Sequence, residues 1–580
     1  MNIDLIKGSR SRILAIGLLA IAAIFVVRLF YLQIIRHDHY IALASAEQQG
    51  RFTLPASRGL IYAKDGTRTV QLVMNQNVYT VFADPVTIIE KPEIVAALRE
   101  VAGGNLRPNF EALIDRKETR YQILATKLSR LQADKLKEKG FDGICFQETN
   151  QRVYPEGSLA GQVLGFVNTE GQGNYGVEGY LDDQLKGKDG LLQTVKDVSN
   201  VPLTIGDNNI SIPKEDGKNV VLTIDRNIQS KVESSIAAAL ERTGATKGSV
   251  VVMDPKTGKV MAMANLPTYN PSEYNKVEDG AIFNNDAISA PYEPGSVLKA
   301  YTLAAGVDKG VVKLSDTYNN TDSIMIGDDY IVGNATKGQT GIINFQRALT
   351  WSLNTGFVTI AQRLGDGSSV NRTARDTMYE YFHDRLRLGQ QSGIELANES
   401  AGSMISPEEV QGNAVRYANM SFGQGLNTTV LQVAAGFSAI VNGGDYYKPT
   451  IIDGYMTDTG FEQSPAPSPL QAGVISKSTS AEVAEGVHQT RIATNLGADK
   501  EGYYIGGKTG TAQVGVAGGY SETETIASYV GFGGGNQMEY VIMIELSGKD
   551  KVLRGAQDAQ PVFTDISNWI IDYLKLQPKG

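Results

Sequence analysis

The sequence is poor in the residues that build disulfides and metal centres. It has one cysteine, Cys145, and four histidines, His37, His39, His383 and His488. One thiol cannot close an internal disulfide, and no Cys/His group has zinc-ligand spacing. No metal or cofactor site is expected, and a histidine-based triad is poorly supplied. Cys145 stands between Ile144 and Phe146, so it is expected on a buried strand rather than as a thiol catalyst. Positive charge is in the minority, with 54 Lys and Arg against 63 Asp and Glu. The net charge is −9 and the pI about 5.3, with no long basic run beyond the N-terminus. That argues against nucleic acid as a partner. Internal repeats are absent.

What is present is ordinary for a large folded protein. The chain is 42% hydrophobic and 20% charged, and its 580 residues suffice for two or more domains. One apolar run dominates. It is unbroken from Ile13 to Val27 and continues past Arg28 to Ile35. Residues 13–35 are long enough to cross a bilayer, and Arg28 can snorkel to the interface. Lys7, Arg10 and Arg12 precede the run. This favours a cytoplasmic tail over 1–12 and an extracytoplasmic remainder. The alternative is a cleaved signal peptide, because Ala44-Ser45-Ala46 fits a small-residue cleavage pattern. That site lies well beyond the apolar core, so a single-pass anchor is preferred.

Residues 36–220 have a mixed pattern. RGLIYAKDGTRTVQLVMNQNVYTVFADP predicts strands around a Lys64-Asp65-Gly66 turn, and 91–140 hold charged helical patterns. A polar linker, GDNNISIPKEDGKN, closes the region. A new rhythm occupies 221–580. A helix is predicted over 226–242, then a hairpin in GSVVVMDPKTGKVMAMAN, then helices from 296 to about 442. FEQSPAPSPLQ is expected as a surface loop. Strand-like runs return at YYIGGKTGTAQV, IASYVGFGGG and MEYVIMIEL, and an amphipathic helix, VFTDISNWIIDYLKL, follows. Strands at both ends with helices between predict an α+β domain whose terminal strands share one sheet.

The chemistry begins at PYEPGSVLKAYTLAAG. Pro294 and Gly295 punctuate the chain before Ser296, and Lys299 follows within one helical turn. Positions i and i+3 share a helix face, so Lys299 can reach the Ser296 hydroxyl. A serine needs a base, and a lysine can serve if burial or a second cation lowers its pKa. Alone, the pair could be an N-cap serine and a snorkelling lysine. Two further stretches change the balance. Ser352-Leu353-Asn354 lies in ALTWSLNTGF, and Lys508-Thr509-Gly510 lies in IGGKTGTAQVG. Serine–lysine acyl enzymes need a proton-relaying hydroxyl, an amide and a cationic strand in this order. Lys256-Thr257-Gly258 repeats the tripeptide, but within the hairpin turn and ahead of the serine, so it is read as turn chemistry.

Together these stretches resemble the class B penicillin-binding proteins, which are membrane-anchored peptidoglycan D,D-transpeptidases. The resemblance covers nearly the whole chain. RVYPEGSLAGQVLGF and GVEGYLDDQLKGKDG are similar to the family's N-terminal pedestal; LTIDRNIQ, GSVLK, SLN, SFGQGLNTTVLQ and KTGTAQ are similar to its transpeptidase domain. Arg58-Gly59 with Asp65-Gly66 resembles the R-G-x-I-x-D-x-x-G segment, one residue longer, and with Ala63-Lys64 where an Asp-Arg pair is usual. Runs such as VYTVFADP look most like the cell-division (septal) branch. The sporulation branch is close and the elongation branch less similar. The chain stops soon after its last helix, without the C-terminal repeats of some relatives.

The resemblance implies an α+β serine transpeptidase domain of β-lactamase-like fold over 221–580. Its central antiparallel sheet would be flanked by helices, behind an elongated mixed α/β pedestal of dimerisation type over 36–220. It also implies roles. Ser296 would attack the carbonyl between the last two D-alanines of a stem peptide. Lys299 would take its proton, Ser352 would relay a proton to the leaving amine, and Asn354 would hold Lys299 and the substrate amide. Lys508 would keep Lys299 partly neutral and favour an anionic substrate. Thr509 and Thr511 would bind the terminal carboxylate, beside Gly510, and the backbone N–H groups of Ser296 and Thr511 would form the oxyanion hole. Implied partners are stem peptides ending in D-Ala-D-Ala, β-lactams, a separate glycosyltransferase and divisome membrane proteins.

Two other classes compete. A serine β-lactamase needs a water-activating group, and Glu395-Leu396-Ala397-Asn398 resembles its glutamate motif only superficially, without the E-x-x-L-N spacing. A β-lactam sensor or division scaffold need not cross-link anything. Sensors of this kind usually have several membrane spans, and a scaffold need not keep all three motifs.

Overall fold

The computed structural model describes residues 9–40, 49–196, 202–203, 210–495, 497–516 and 519–580. Lys7, the Ala44-Ser45-Ala46 pattern and residues 206–209 of the linker stretch lie outside the described residues. The chain forms two compact units, Met1–Ser57 with Gly187–Gly217, and Arg58–Lys186 with Lys218–Gly580.

The first unit holds the apolar run. It is an α-helix over Ser9–Phe30 that continues as a π-helical turn over Tyr31–Ile35. The segment Arg12–Ile35 is long and apolar enough to cross a membrane, with a mean hydropathy of 2.8. The same unit has a small antiparallel sheet in which Gly190–Lys196 lies between Gln49–Leu54 and Ile210–Ile212. Part of the expected linker is therefore a strand. Its Ile-Ser-Ile core outweighs the polar flanks.

The second unit is built around two sheets. In the first, Asn219–Asp225 runs parallel to Ile61–Asp65 and antiparallel to Ile452–Thr457. Arg68–Ala83 pairs with Ile61–Asp65, Gln122–Leu128 and Ile144–Val153. Gly460–Gln463 forms its far edge, so the start of the FEQSPAPSPLQ stretch is a strand rather than a loop.

Three sequence stretches, one of them the strand Ile144–Val153 of this sheet, meet on one carboxylate. Glu178, fully buried, pairs with Arg152 at 2.7 Å and with Arg58 at 2.6 Å, and Arg58 also pairs with Asp182 at 2.7 Å. Cys145 lies on a strand as expected, but it is exposed rather than buried. Strand alternation explains the difference: Ile144 and Phe146 face the cluster around Val81, Leu98 and Leu124, so the residue between them faces out.

The second sheet is five-stranded and antiparallel, in the order Val260–Leu266, Lys247–Met253, Met538–Ser547, Gly519–Gly534, Tyr504–Val516. Its period-2 pattern separates two cores. Val250, Val252, Ile542 and Ile544 face helices Arg226–Thr243 and Gln560–Tyr573. Val251, Met253, Val541 and Met543 face the larger core, which includes the helix Val430–Val441. Asp225 caps Arg226–Thr243 by accepting from the N–H groups of Asn227 and Ile228, and Gly244, at φ 69°, ends the helix. Two short hairpin-like pairs interrupt the helical region, Thr317–Asn320 with Gly341–Asn344 and Ser323–Ile326 with Tyr330–Gly333. Both pairs fall within the stretch expected to be helical.

Candidate active site

The segment that carries Ser296 starts as a 3-10 turn, Gly295–Leu298, and becomes α-helical at Lys299–Asp308. Residues 299–306 are all buried. A helix that is buried on every side belongs inside a core. Tyr301 donates to the Val433 carbonyl (2.6 Å) and Thr302 to the Ser421 carbonyl (2.7 Å), which fixes the helix in rotation.

The Lys299 ammonium is fully buried and makes three hydrogen bonds. It donates to the Ser352 carbonyl (2.7 Å), to Ser352 Oγ (3.0 Å) and to Asn354 Oδ1 (2.8 Å). Lys508 reaches the same hydroxyl from the strand Tyr504–Val516. Its Nζ donates to Ser352 Oγ (3.0 Å), to its neighbour's carbonyl at Thr509 (3.0 Å) and to Thr509 Oγ1 (3.3 Å). Burial holds Lys299 well below the usual lysine pKa, and the charge of Lys508 lowers it further. Burial alone brings Lys508 down to about 7. Ser296 is half-buried, and its hydroxyl has no hydrogen-bond partner among the described residues.

Local strain and close approach shape the rest. Ser352 has φ 57°, a left-handed conformation that a serine adopts at a cost, and Leu353 then leads into the helix Asn354–Arg363. Asn354 Nδ2 donates to the Gly333 carbonyl (2.9 Å), so the unforeseen pair of short strands Ser323–Ile326 and Tyr330–Gly333 orients this amide. Lys508, Thr509, Gly510 and Thr511 lie on the strand Tyr504–Val516. The turn before Ser296 packs directly on that strand. A Cβ on Gly295, whose φ is 63°, would meet the Thr511 carbonyl at 2.8 Å. A Cβ on Gly510 would meet the Pro294 carbonyl at 2.7 Å and collide with Ser528 Oγ. Ser528 Oγ donates to that same Pro294 carbonyl (3.0 Å). Thr511 Oγ1 accepts from the Gly555 N–H (3.0 Å) and is exposed. Nothing in the linear sequence marks Gly333, Ser528 or Gly555, because each acts through its backbone or through one remote contact.

The competing features lie elsewhere. The second tripeptide, Lys256-Thr257-Gly258, closes a turn. Thr257 Oγ1 donates to Asp254 Oδ2 (2.7 Å), and Gly258 has φ 73°. The Glu395 carboxylate is occupied by Lys448 (2.9 Å), Thr450 Oγ1 (3.0 Å) and the Ile451 N–H (3.1 Å). It is committed to holding that loop, so it does not supply the water-activating group of a lactamase.

The penicillin-binding protein transpeptidase domain family matches residues 248–568, more than half of the chain. The chain belongs to this family. A second match, to the penicillin-binding protein dimerisation domain, covers 53–222. The protein is thus a transpeptidase-class enzyme with the two-domain organisation of class B penicillin-binding proteins. It is 28% identical over 581 residues to Stage V sporulation protein D of Bacillus subtilis, covering 98% of this chain and 87% of that one. It is 26% identical over 576 residues to the probable peptidoglycan D,D-transpeptidase PenA of Neisseria meningitidis, covering 97% and 92%. Penicillin Binding Protein 2X from Streptococcus thermophilus shares the fold, with a TM-score of 0.72 at 22% identity, over 91% of this chain and 80% of that one.

Proposed function

We propose that this chain is a peptidoglycan D,D-transpeptidase that cross-links stem peptides ending in D-Ala-D-Ala through an acyl-enzyme on Ser296. The reading rests on the run Asn354–Lys299–Ser352–Lys508, joined by hydrogen bonds of 2.8, 3.0 and 3.0 Å, with Ser296, three residues before Lys299, free of hydroxyl partners among the described residues. Lys299, held towards its neutral form by burial, takes the Ser296 proton as Oγ attacks the penultimate carbonyl. The proton passes through Ser352 Oγ to the departing D-alanine amine as the C–N bond breaks. Asn354 holds Lys299 and the donor amide. Lys508 attracts the anionic donor end, Thr509 and Thr511 bind its carboxylate, and Gly510 allows the close approach. The N–H groups of Ser296 and Thr511 receive the oxyanion. An amine on a neighbouring stem then displaces Ser296 Oγ and forms the cross-link.

A β-lactam mimics the acyl-D-alanyl-D-alanine end and acylates the same serine. The proposed organisation is a cytoplasmic tail (1–12), a membrane anchor (13–35), an extracytoplasmic pedestal (36–220) and a transpeptidase domain (221–580). A separate glycosyltransferase supplies the glycan strands, and divisome membrane proteins are the expected companions of a septal enzyme. Likeness to Stage V sporulation protein D favours a second reading, a sporulation-specific transpeptidase.

Intact mass spectrometry after penicillin treatment tests the chemistry. One adduct is expected, on the peptide containing Ser296. An adduct elsewhere, or labelling of Ser296→Ala, overturns the assignment. A fluorescent fusion separates the branches: midcell bands in dividing cells support the septal reading, lateral signal the elongation one, and signal confined to the developing spore the sporulation one.

A further inference from the structure

A polar cavity of about 350 Å³ lies beside the turn that carries Ser296. It is lined by Glu293, Asn413, Arg416, Asn419, Gly425 and Tyr520. Its walls connect to all three catalytic stretches. Glu293 stands just ahead of Ser296, and the Gly295 N–H donates to the Gly423 carbonyl (3.0 Å), on the loop that carries Gly425. Asn419 Nδ2 donates to the Tyr330 hydroxyl (3.1 Å), and Tyr330 starts the strand whose Gly333 carbonyl holds Asn354. Tyr520 belongs to the strand paired with Tyr504–Val516, which carries Lys508 and Thr511.

The Glu293 carboxylate is only half satisfied. Its Oε1 accepts from the Gly425 N–H (2.8 Å) and the Tyr520 hydroxyl (3.2 Å). Its Oε2 is buried with no hydrogen-bond partner among the described residues. Burial raises its pKa, opposed by the Gly425 N–H, Tyr520 and Arg416. A buried carboxylate oxygen without a donor is costly unless a cation or N–H group meets it. Arg416 brings the opposite charge to the same cavity. It is held there by carbonyls, donating from Nε to Gln411 (3.0 Å) and from Nη1 to Gly425 (2.9 Å). A carboxylate and a guanidinium side by side match a ligand that carries both charges.

We propose that this cavity is the acceptor subsite: it takes an amino-acid end of the incoming stem, its carboxylate on Arg416 and its ammonium group on Glu293, which accepts one proton so that the neutral amine attacks the acyl carbon and its second proton returns to the displaced Ser296 Oγ. The proposal rests on the transpeptidase reading above, because only an acyl transfer to an amine calls for such a site. It names the class of acceptor, an amine and a carboxylate on one carbon.

The test uses the full-length protein in detergent with an acyl-D-alanyl thioester donor. D-alanine is the acceptor probe, and ethanolamine is the probe that lacks the carboxylate. The readout is the ratio of aminolysis to hydrolysis at subsaturating acceptor. In Glu293→Gln this ratio with D-alanine is expected to fall about tenfold further than the rate of penicillin acylation, the loss of one charge-assisted contact. Arg416→Gln is expected to erase much of the preference for D-alanine over ethanolamine. The proposal is overturned if Glu293→Gln keeps the parental ratio, or if aminolysis, hydrolysis and penicillin acylation fall by one common factor. The latter result would make Glu293 a shaper of the nucleophile's turn. A parent protein that forms no penicilloyl adduct on Ser296 would instead sink the transpeptidase reading, before any acceptor is added.

Discussion

Lys299 and Lys508 donate to one oxygen, the Ser352 hydroxyl, each over 3.0 Å. Both ammonium groups are buried, and both are shifted towards the neutral form. In the proposed mechanism the first of these lysines is the base and the second supplies charge.

The first prediction separates those two tasks. Lys299→Arg is expected to lose penicillin acylation by about a hundredfold or more, because arginine stays protonated and cannot take a proton. Lys508→Arg is expected to keep measurable acylation, because the role proposed for that position needs a cation. The pH profile carries the sign. The rate rises as Lys299 deprotonates, well below the ordinary lysine range, and falls as Lys508 loses its proton near pH 7 in the free enzyme. In Lys508→Arg the falling limb should disappear. If Lys299→Arg acylates like the parent while Lys508→Arg is dead, the roles are reversed.

A second prediction concerns stability. The folded-state pKa of Lys508 is about 7, below the unfolded value. Between pH 7 and the unfolded pKa the unfolded chain binds more protons at this position. The contribution of Lys508 to stability therefore rises with pH across that window, by at most about 1.4 kcal/mol per pH unit. Below pH 7 the penalty for burying the cation is fully present. Lys508→Met should abolish acylation yet melt above the parent at pH 6.5, and the gap should narrow by pH 9. A gap that widens with pH would contradict the assigned direction.

Much of this site is legible in the sequence because the chemistry needs fixed residue types at local spacing. Ser296 and Lys299 lie one turn apart, and Ser352 and Asn354 flank a single residue. The sheet is legible for a similar reason: Val250–Met253 and Val541–Ile544 are continuous apolar runs buried on both faces. Contacts made by backbone groups far apart in the chain are not legible. Gly333 orients Asn354 through a carbonyl, and any residue type supplies one. Cys145 is misread because two apolar neighbours suggest burial, while alternation turns the residue between them outward. The order of causes at Lys299 is also settled only by packing: burial outweighs the charge of Lys508.

Backbone strain at Ser352 gives a third prediction. Ser352→Ala and Ser352→Gly both remove the shared hydroxyl, so both should lose acylation. Only glycine adopts φ 57° without a Cβ penalty. Ser352→Gly should be more stable than Ser352→Ala by about 1 kcal/mol, read from paired thermal melts. Equal melting temperatures would mean that the turn relaxes in the alanine variant.

Glu178 gives a fourth. It neutralises Arg58 and Arg152 in a setting where its own side chain is fully buried. Glu178→Ala leaves two guanidinium groups with poor compensation. A loss of about 3–5 kcal/mol is expected, seen as a sharply lowered melting temperature. A melt within a degree of the parent would show that water or Asp182 compensates both arginines.

The last prediction concerns Gly510, where one methyl group tests how tightly the nucleophile depends on the opposite strand. The Pro294 carbonyl and Ser528 Oγ occupy the space a Cβ would need, and they are hydrogen-bonded to each other at 3.0 Å. Ser528 could rotate away, but the Pro294 carbonyl is backbone, and it lies immediately before Gly295 and Ser296. Gly510→Ala must therefore push the nucleophile's turn away from the strand that carries Lys508 and Thr511. A displacement near 1 Å in an aligned site costs about a hundredfold in rate. Penicillin acylation of Gly510→Ala is expected to fall by that order, while Ser528→Ala, which removes one hydrogen bond and frees space, should lose much less. The double variant Gly510→Ala with Ser528→Gly separates the two contacts. If it recovers most of the acylation rate, the collision with Ser528 was the cause. If it stays slow, the Pro294 carbonyl is the contact that couples the strand to Ser296.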